Sequence, residues 1–314
     1  MDTKNFLKEF EKELGKPLKT NISLKQYCRF RIGGLADFFF EAKNPNELKK
    51  IISLTNKYKI PFIIIGQGTN LLFDDEGYRG LIIKNEVRGI KVNAKGGIIE
   101  ALSGTLLKEI IEKAIEYSLG GLEALIGIPG TFGGAISGNA GAYGRSISNF
   151  LEKGIIVDEK GNEREVSRDY FQFDYRWSRI KKTKEVILSG TLRLEKMPQS
   201  QILERIEEIY KDRQKKHPPS DIACAGSYFK NIKLPDGNFI PAGYLLDKVN
   251  AKKIKIGDAA VYEKHANILI NKGNATCKDI LTLASILKQK VKKAFGLDLI
   301  EEVIYIKANP LSFK

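Results

Sequence analysis

Three cysteines, two histidines and a single tryptophan among 314 residues leave little material for several kinds of chemistry. Cys28, Cys224 and Cys277 are odd in number, lie far apart and form no Cys-x-x-Cys pair, so neither a disulfide framework nor a metal site of the zinc type is expected. No stretch reaches the run of about 18 apolar residues that a membrane-spanning helix needs. The stretch MDTKNFLKEFEKELGK mixes acids with bases and carries Phe6, Leu7, Phe10 and Leu14 at helical spacing, unlike the apolar core of a secretion signal. These absences predict a cytoplasmic protein that engages no membrane, and we expect a monomer.

Hydrophobic residues at 42% and charged residues at 29% are ordinary for a folded chain, and the length suits two or three compact units. The net charge of +14 raises the question of a nucleic-acid partner. The excess is spread evenly: residues 201–314 hold 20 Lys and Arg against 13 Asp and Glu, a net +7, which leaves +7 for residues 1–200. Of the 52 basic residues 40 are Lys, whereas reading base edges favours the planar fork of Arg. No nucleic acid is expected as a partner, and a cleft for a small polyanion fits the charge equally well.

Hydrophobic periodicity predicts mixed α and β structure. ADFFFEA (Ala36 to Ala42) reads as a strand, and Asn44 followed by Pro45 opens a helix with Leu48, Ile51 and Ile52 inward. PFIIIG (Pro61 to Gly66), GLIIK (Gly80 to Lys84) and GIIEAL (Gly97 to Leu102) are further strands, followed by a helix with Leu106, Leu107, Ile110, Ile111, Ala114 and Ile115 on its apolar face. Residues 120–144 hold nine of the 29 glycines, a density that predicts ordered loop rather than helix or strand. GIIVDEKGNEREV reads as a hairpin turning at Lys160 to Asn162, and VILSGTLRLE (Val186 to Glu195) as a strand. A polar helix from Gln201 to Lys215 stops at HPPS, which puts a domain junction near 196–200. A helix from about Lys278 to Phe295 and a strand from Ile300 to Ile306 follow.

Two glycine clusters could carry chemistry. FIIIGQGTNLL lacks the third glycine of a dinucleotide-binding turn, with Leu71 in its place, and the one Gly-Lys pair, Gly15-Lys16, precedes Pro17 and makes no phosphate loop. A cradle of backbone N–H groups for an anion survives as a reading of Gly66 to Asn70, beside a plain tight turn. GIPGTFGGAISGNAGAYG (Gly127 to Gly144) repeats the recipe on a larger scale. Two cradles suit a long, diphosphate-bridged ligand, and a glycine-rich structural crossing explains the second cluster as well.

GQGTNLL, IPGTFGGAISGNAGAYG, FDYRWSRIK (Phe173 to Lys181) and AGSYFKN (Ala225 to Asn231) occur in that order. FRIGGLADF (Phe30 to Phe38), the stretch from Gly243 to Asn271 and LIEEV (Leu299 to Val303) complete a set that spans nearly the whole chain. In these motifs the chain resembles the UDP-N-acetylenolpyruvoylglucosamine reductase (MurB) family. The resemblance implies an α+β fold: a two-subdomain FAD-binding region of the vanillyl-alcohol-oxidase (PCMH) type, residues 1–80 and 81–198, then an α+β substrate-binding domain, residues 199–314. It implies non-covalent FAD, NADPH as hydride donor and UDP-N-acetylglucosamine enolpyruvate as substrate, reduced to UDP-N-acetylmuramate for peptidoglycan. Only 50 residues separate Arg176 from Ser227, with no room for a tyrosine-bearing insertion, so the likeness is to the shorter members.

Carried over by motif, the proton donor falls on Ser227, the catalytic cation on Arg176 and the catalytic carboxylate on Glu302. FAD contacts fall on Gly33 and Gly34, on Gly66, Gln67, Gly68, Thr69, Asn70 and Leu71, and on Gly127, Pro129, Gly130, Gly133, Gly134, Ala135, Asn139, Gly141, Ala142 and Tyr143. Tyr175, Lys230 and Asn231 fall to the substrate. The roles suit the chemistry, because hydride addition to an enolpyruvyl methylene builds negative charge that needs a cation and then a proton. Strand alternation would place Glu302 on one face with Ile300, Ile304 and Ile306, an apolar lining that raises its pKa. His217 and His265 both follow residue 198 and read as structural, which leaves Cys28 as the one side chain to check for a covalent flavin bond. The chain departs from the family pattern at Cys28 and Arg29, where hydroxyl residues are common, and at Ile232, where Pro is usual. An FAD-dependent oxidase or dehydrogenase of the same fold would keep the glycine clusters without needing Ser227, Arg176 and Glu302.

Overall fold

The computed structural model describes residues 2–309, and its chain divides into two compact units. The first holds the residues up to Thr20 together with Phe38–Gln67 and Gly80–Lys211. The second holds Asn21–Asp37, Gly68–Arg79 and the residues from Asp212 onward.

In the first unit, helix α1 (Thr3–Leu14) buries Phe6 and Phe10, as their spacing predicts. Phe10 meets Phe40 edge-on with ring centroids 5.1 Å apart. Removing each such side chain from water contributes about 1.5–3 kcal/mol. Helix α2 (Pro45–Lys57) begins where the Asn44 side chain accepts the Glu47 amide and Pro45 takes the first position. Strands Phe62–Ile65 and Tyr78–Asn85 pair in parallel, with Phe62 opposite Leu81, and share a core with α1 and α2. A second sheet is wholly antiparallel, in the order Glu163–Ser167, Leu151–Val157, Val186–Arg193, Ile98–Leu102, Ile90–Asn93. Helix α3 (Leu107–Glu116) buries Leu107, Ile110, Ile111 and Ala114 in its core.

The glycine-rich stretch corrects one expectation. Phe132–Gly138 form helix α4, capped by Thr131 and closed by Asn139 in the left-handed conformation. Glycine at 133, 134 and 138 masks the periodicity, but a threonine cap ahead of Phe132, Ala135 and Ile136, all buried, is a helix signal. Helix α5 (Gln199–Lys216) passes out of the first unit at Lys211.

The largest sheet that lies wholly within the second unit has four antiparallel strands in the order Ala223–Ser227, Ile268–Asn271, Ala259–Val261, Lys255–Ile256. Helix α6 (Ala242–Lys248) is short. Helix α7 (Cys277–Phe295) opens on a reciprocal Thr276–Asp279 cap, ends at Gly296 and buries Ile280, Leu283, Leu287 and Val291. The closing strand is shorter than expected, Ile304–Ile306, and pairs in parallel with Leu71–Phe73. Ile300 and Ile304 are 62% and 41% exposed while Val303 is buried, so the apolar face expected around Glu302 does not form. The reason is that residues 300–302 turn aside to bond with 228–230.

The two histidines lie against each other in this unit with their rings tilted, centroids 5.9 Å apart and planes at 33°. Burial, and after it the charge of Arg213, lowers the His217 pKa to about 4, and burial lowers that of His265. The unfolded chain takes up a proton near the ordinary value of 6.5, which the folded protein resists until about pH 4. Stability from this source is therefore complete above pH 6.5 and declines as pH falls towards 4. Calorimetry across that window is expected to show a falling Tm, and His217→Gln a shallower fall; equal slopes would contradict the assignment.

Candidate functional site

In the first unit the sequence-derived residues gather around α4. Gly66 ends the strand Phe62–Ile65, and a Cβ there would stand 2.4 Å from Thr131 Oγ1, the oxygen that caps α4. The amides of Phe132 and Gly133 donate to the Thr105 and Ser103 carbonyls at 2.8 Å each, and Ser103, fully buried, accepts from Asn85 Nδ2 at 2.8 Å. Gly127 and Gly130 reach the start of α4 with positive φ, and Tyr143, 48% exposed, follows its end. The loop is therefore held through its backbone amides to residues 103–105, with α4 inside it.

Arg176 belongs to the same assembly. Asp174 and Trp177 exchange both backbone hydrogen bonds at 3.1 Å, a tight turn in which Arg176 takes φ +53°. Two ties hold this turn to the glycine loop: buried Asn139 donates from Nδ2 to the Asp174 carbonyl at 2.9 Å, and Arg176 Nη2 donates to the Gly141 carbonyl at 2.6 Å. The guanidinium carbon lies 5.3 Å from the Tyr175 ring centroid, a cation–π distance. A guanidinium carried on a left-handed turn and anchored to main chain is a fixed positive charge, suited to an anion of fixed position.

In the second unit Ser227 closes the strand Ala223–Ser227. Cys224 pairs with Ile270 and Ser227 with Ile268, so the strand gains a residue between them. That bulge changes which face the serine presents, and leaves it half-buried after the buried Cys224 and Ala225. Gly226 permits it with φ +75°, and a Cβ there would meet nothing within 4 Å.

The main chain then brings Glu302 alongside. Lys230 N donates to the Ile300 carbonyl at 2.8 Å, Phe229 bridges Glu301, and Glu302 N donates to the Tyr228 carbonyl at 2.8 Å. Glu302, half-buried, differs from exposed Glu301, which pairs with Lys288 at 2.8 Å. Asn70 joins them: its Nδ2 donates to the Glu302 carbonyl at 3.0 Å, and its own carbonyl accepts the Ile304 amide at 3.0 Å. The segments that carry Ser227 and Glu302 are thus joined through the main chain, with the GQGTN asparagine bonded to the second of them.

Other expected residues have visible structural duties. A Cβ on Gly34 would stand 2.2 Å from the Asp75 carbonyl, and on Gly33 2.9 Å from Phe73 Cβ, so both serve close packing. Gly68 admits the Tyr27 carbonyl, 1.9 Å from where a Cβ would be. Asn231 Oδ1 accepts the Ala242 amide at the start of α6 at 3.1 Å. Cys28, 4% exposed, donates from Sγ to the Leu71 carbonyl at 3.1 Å, and burial pushes its thiol pKa up, the opposite of an activated thiolate. Sequence reasoning overlooked Asn267, a buried amide that bonds to the backbone just after Ser227. The signal was an asparagine inside the apolar run ANILI, where an unsatisfied amide would be costly. Among the described residues no His, Cys, Asp and Glu cluster could hold a metal ion.

Comparison with known proteins adds to this geometry. Residues 36–167 match the model of an FAD binding domain, and residues 217–306 that of the UDP-N-acetylenolpyruvoylglucosamine reductase C-terminal domain. The UDP-N-acetylenolpyruvoylglucosamine reductase of Clostridium kluyveri is 40% identical over 286 residues, 91% of this chain and 92% of that protein. Its counterpart in Caldanaerobacter subterraneus is 38% identical over 298 residues, 95% of each. The crystal structure of UDP-N-acetylenolpyruvylglucosamine reductase (MurB) from Thermus caldophilus matches with a TM-score of 0.76 at 28% identity, covering 92% of this chain and 99% of that one.

Proposed function

The chain belongs to the UDP-N-acetylenolpyruvoylglucosamine reductase family, and from that premise we infer that it reduces UDP-N-acetylglucosamine enolpyruvate to UDP-N-acetylmuramate for peptidoglycan, with NADPH as reductant and FAD as cofactor. We propose that it works as a cytoplasmic monomer, residues 1–80 and 81–198 holding FAD without a covalent bond and residues 199–314 holding the UDP sugar. Its three free, buried cysteines suit a reducing compartment, and no helix among the described residues is long and apolar enough to cross a membrane.

The glycine loop fits an extended planar cofactor. Gly134 and Gly138 stand one turn apart on α4; a Cβ at 138 would meet nothing within 4 Å, and one at 134 only Thr131 Oγ1 at 3.4 Å. This side of α4 is bare, so a ligand can approach the helix backbone there. Gly134→Ala is expected to keep Tm or raise it, since alanine favours a helix by about 1 kcal/mol over glycine. The same methyl is expected to weaken FAD binding about tenfold through crowding, measured by titrating the deflavinated protein. An unchanged Kd would mean that this face does not meet the cofactor.

Bound FAD supplies the hydride relay, from NADPH to the terminal enolpyruvyl carbon. The remaining demands fall on side chains. Negative charge builds at the ether-bearing carbon, in conjugation with the substrate carboxylate, and the Arg176 guanidinium offsets it. Ser227 delivers a proton to that carbon, Glu302 supports the transfer, and Tyr175, Lys230 and Asn231 bind substrate. The observation that carries this reading is the main-chain pairing of 228–230 with 300–302, which holds Ser227 and Glu302 on adjoining segments with Asn70 beside them. The test is spectroscopic: the purified protein should be yellow, bleach with NADPH and regain colour on adding the enolpyruvyl UDP sugar. A protein that bleaches but regains colour with oxygen alone would be an oxidase instead.

A further inference from the structure

Ser227 follows a residue that fixes little. Gly226 has φ +75° and open space where a Cβ would be, so no side chain there packs beside the serine, whose own main chain sits on the last rung of the strand, opposite Ile268. Further restraint comes from downstream, on two sides. On one side lie residues 300–302, already described. On the other lies Asn267, 2% exposed, whose side chain accepts the Phe229 amide at Oδ1 (2.9 Å) and donates from Nδ2 to the Phe229 carbonyl (2.8 Å). The Asn267 main-chain carbonyl also accepts the Tyr228 amide at 2.7 Å.

The side-chain amide thus pairs with both polar groups of one residue, as a neighbouring strand would. It continues the ladder after Ser227 and Ile268, the last paired residues, where the bulged strand ends. Asn267 is itself braced, its amide donating to His265 Nδ1 at 3.2 Å, which requires that nitrogen to carry no proton. We propose that Asn267 is a positioning residue for Ser227: it stands in for the missing strand and fixes the backbone of 228 and 229, so that the serine hydroxyl is held in place for proton delivery. This rests on Ser227 being the proton donor, and the experiment separates the two claims.

The test compares Asn267→Ala, Ser227→Ala and the double variant, each as the FAD holoenzyme, by stopped-flow at saturating enolpyruvyl UDP sugar. NADPH bleaching serves as the internal control for folding and flavin binding. Asn267→Ala is expected to slow recolouring about 10- to 100-fold, the scale of a misplacement of about 1 Å, while bleaching stays near the wild-type rate. In the Ser227→Ala background the same substitution is expected to add almost nothing, because the group it positions is gone. A multiplicative loss in the double variant, or no loss in the single one, overturns the proposal. Wild-type recolouring in Ser227→Ala overturns the proton-donor assignment, and the positioning role with it.

If Asn267→Ala fails to fold, Asn267→Asp decides. Its carboxylate still accepts the Phe229 amide, but only the protonated acid can donate to the Phe229 carbonyl. Recolouring relative to wild type should then rise as pH falls through the carboxyl pKa, with no matching change in bleaching. A flat ratio overturns the proposal.

Discussion

Replacing Ser227 by alanine is expected to leave NADPH bleaching at the wild-type rate and to slow recolouring by the enolpyruvyl UDP sugar about 10²- to 10⁴-fold, the usual worth of a positioned general acid. The split follows from the chemistry. Reduction by NADPH needs no proton on the sugar, whereas turnover of the enolpyruvyl group needs one at the carbon that hydride does not attack. A serine hydroxyl is a weak acid, useful only where it is aimed at a strongly basic centre, so its value lies in placement. The structure supplies the means of placement: a bulge that turns the residue, a glycine that permits the turn, and hydrogen bonds on both flanks of 228–230. Stopped-flow absorbance of the flavin reads both phases in one sample. A variant with both phases intact would remove Ser227 from the reaction, and a variant slow in both would point to a flavin-site defect.

Much of this was legible in the chain. Asn44-Pro45 ahead of Leu48, Ile51 and Ile52 announces α2, and the apolar run from Phe62 to Ile65 announces a strand, because in each case a local pattern determines the element. What stayed hidden depends on partners distant in sequence. The strand expected from Ile300 shrank to Ile304–Ile306 because residues 300–302 found partners at 228–230, some 70 residues away, which no periodicity encodes. Helix α4 was masked by three glycines even though its cap and buried face were present. The bulge before Ser227 is likewise a matter of register, visible only once Ile268 and Ile270 are known to lie opposite. Among the candidate site residues, those in distinctive motifs are singled out by the chain, whereas Asn267 shows there only as a polar residue inside an apolar run, and what it bonds to is visible only in the structure.

Arg176 gives the second large effect. Removing the guanidinium is expected to lower the recolouring rate about 10²- to 10³-fold, the loss that follows when one preorganised charge-stabilising group is deleted. Alanine alone leaves a question of folding, because residue 176 sits at φ +53°, where a side chain costs about 1–2 kcal/mol. Glycine escapes that cost. Both variants lose the bond to the Gly141 carbonyl and the contact with Tyr175. Arg176→Gly should therefore be more stable than Arg176→Ala by about 1–2 kcal/mol in urea titration, the left-handed penalty alone. Their recolouring rates should nonetheless be equally low, because the missing charge and not the turn limits the reaction. Arg176→Lys keeps a charge but not the planar fork, and is expected to recover only part of the rate. If Arg176→Gly regained activity in step with its stability, the arginine would be a structural element of the turn and the charge would have to come from elsewhere.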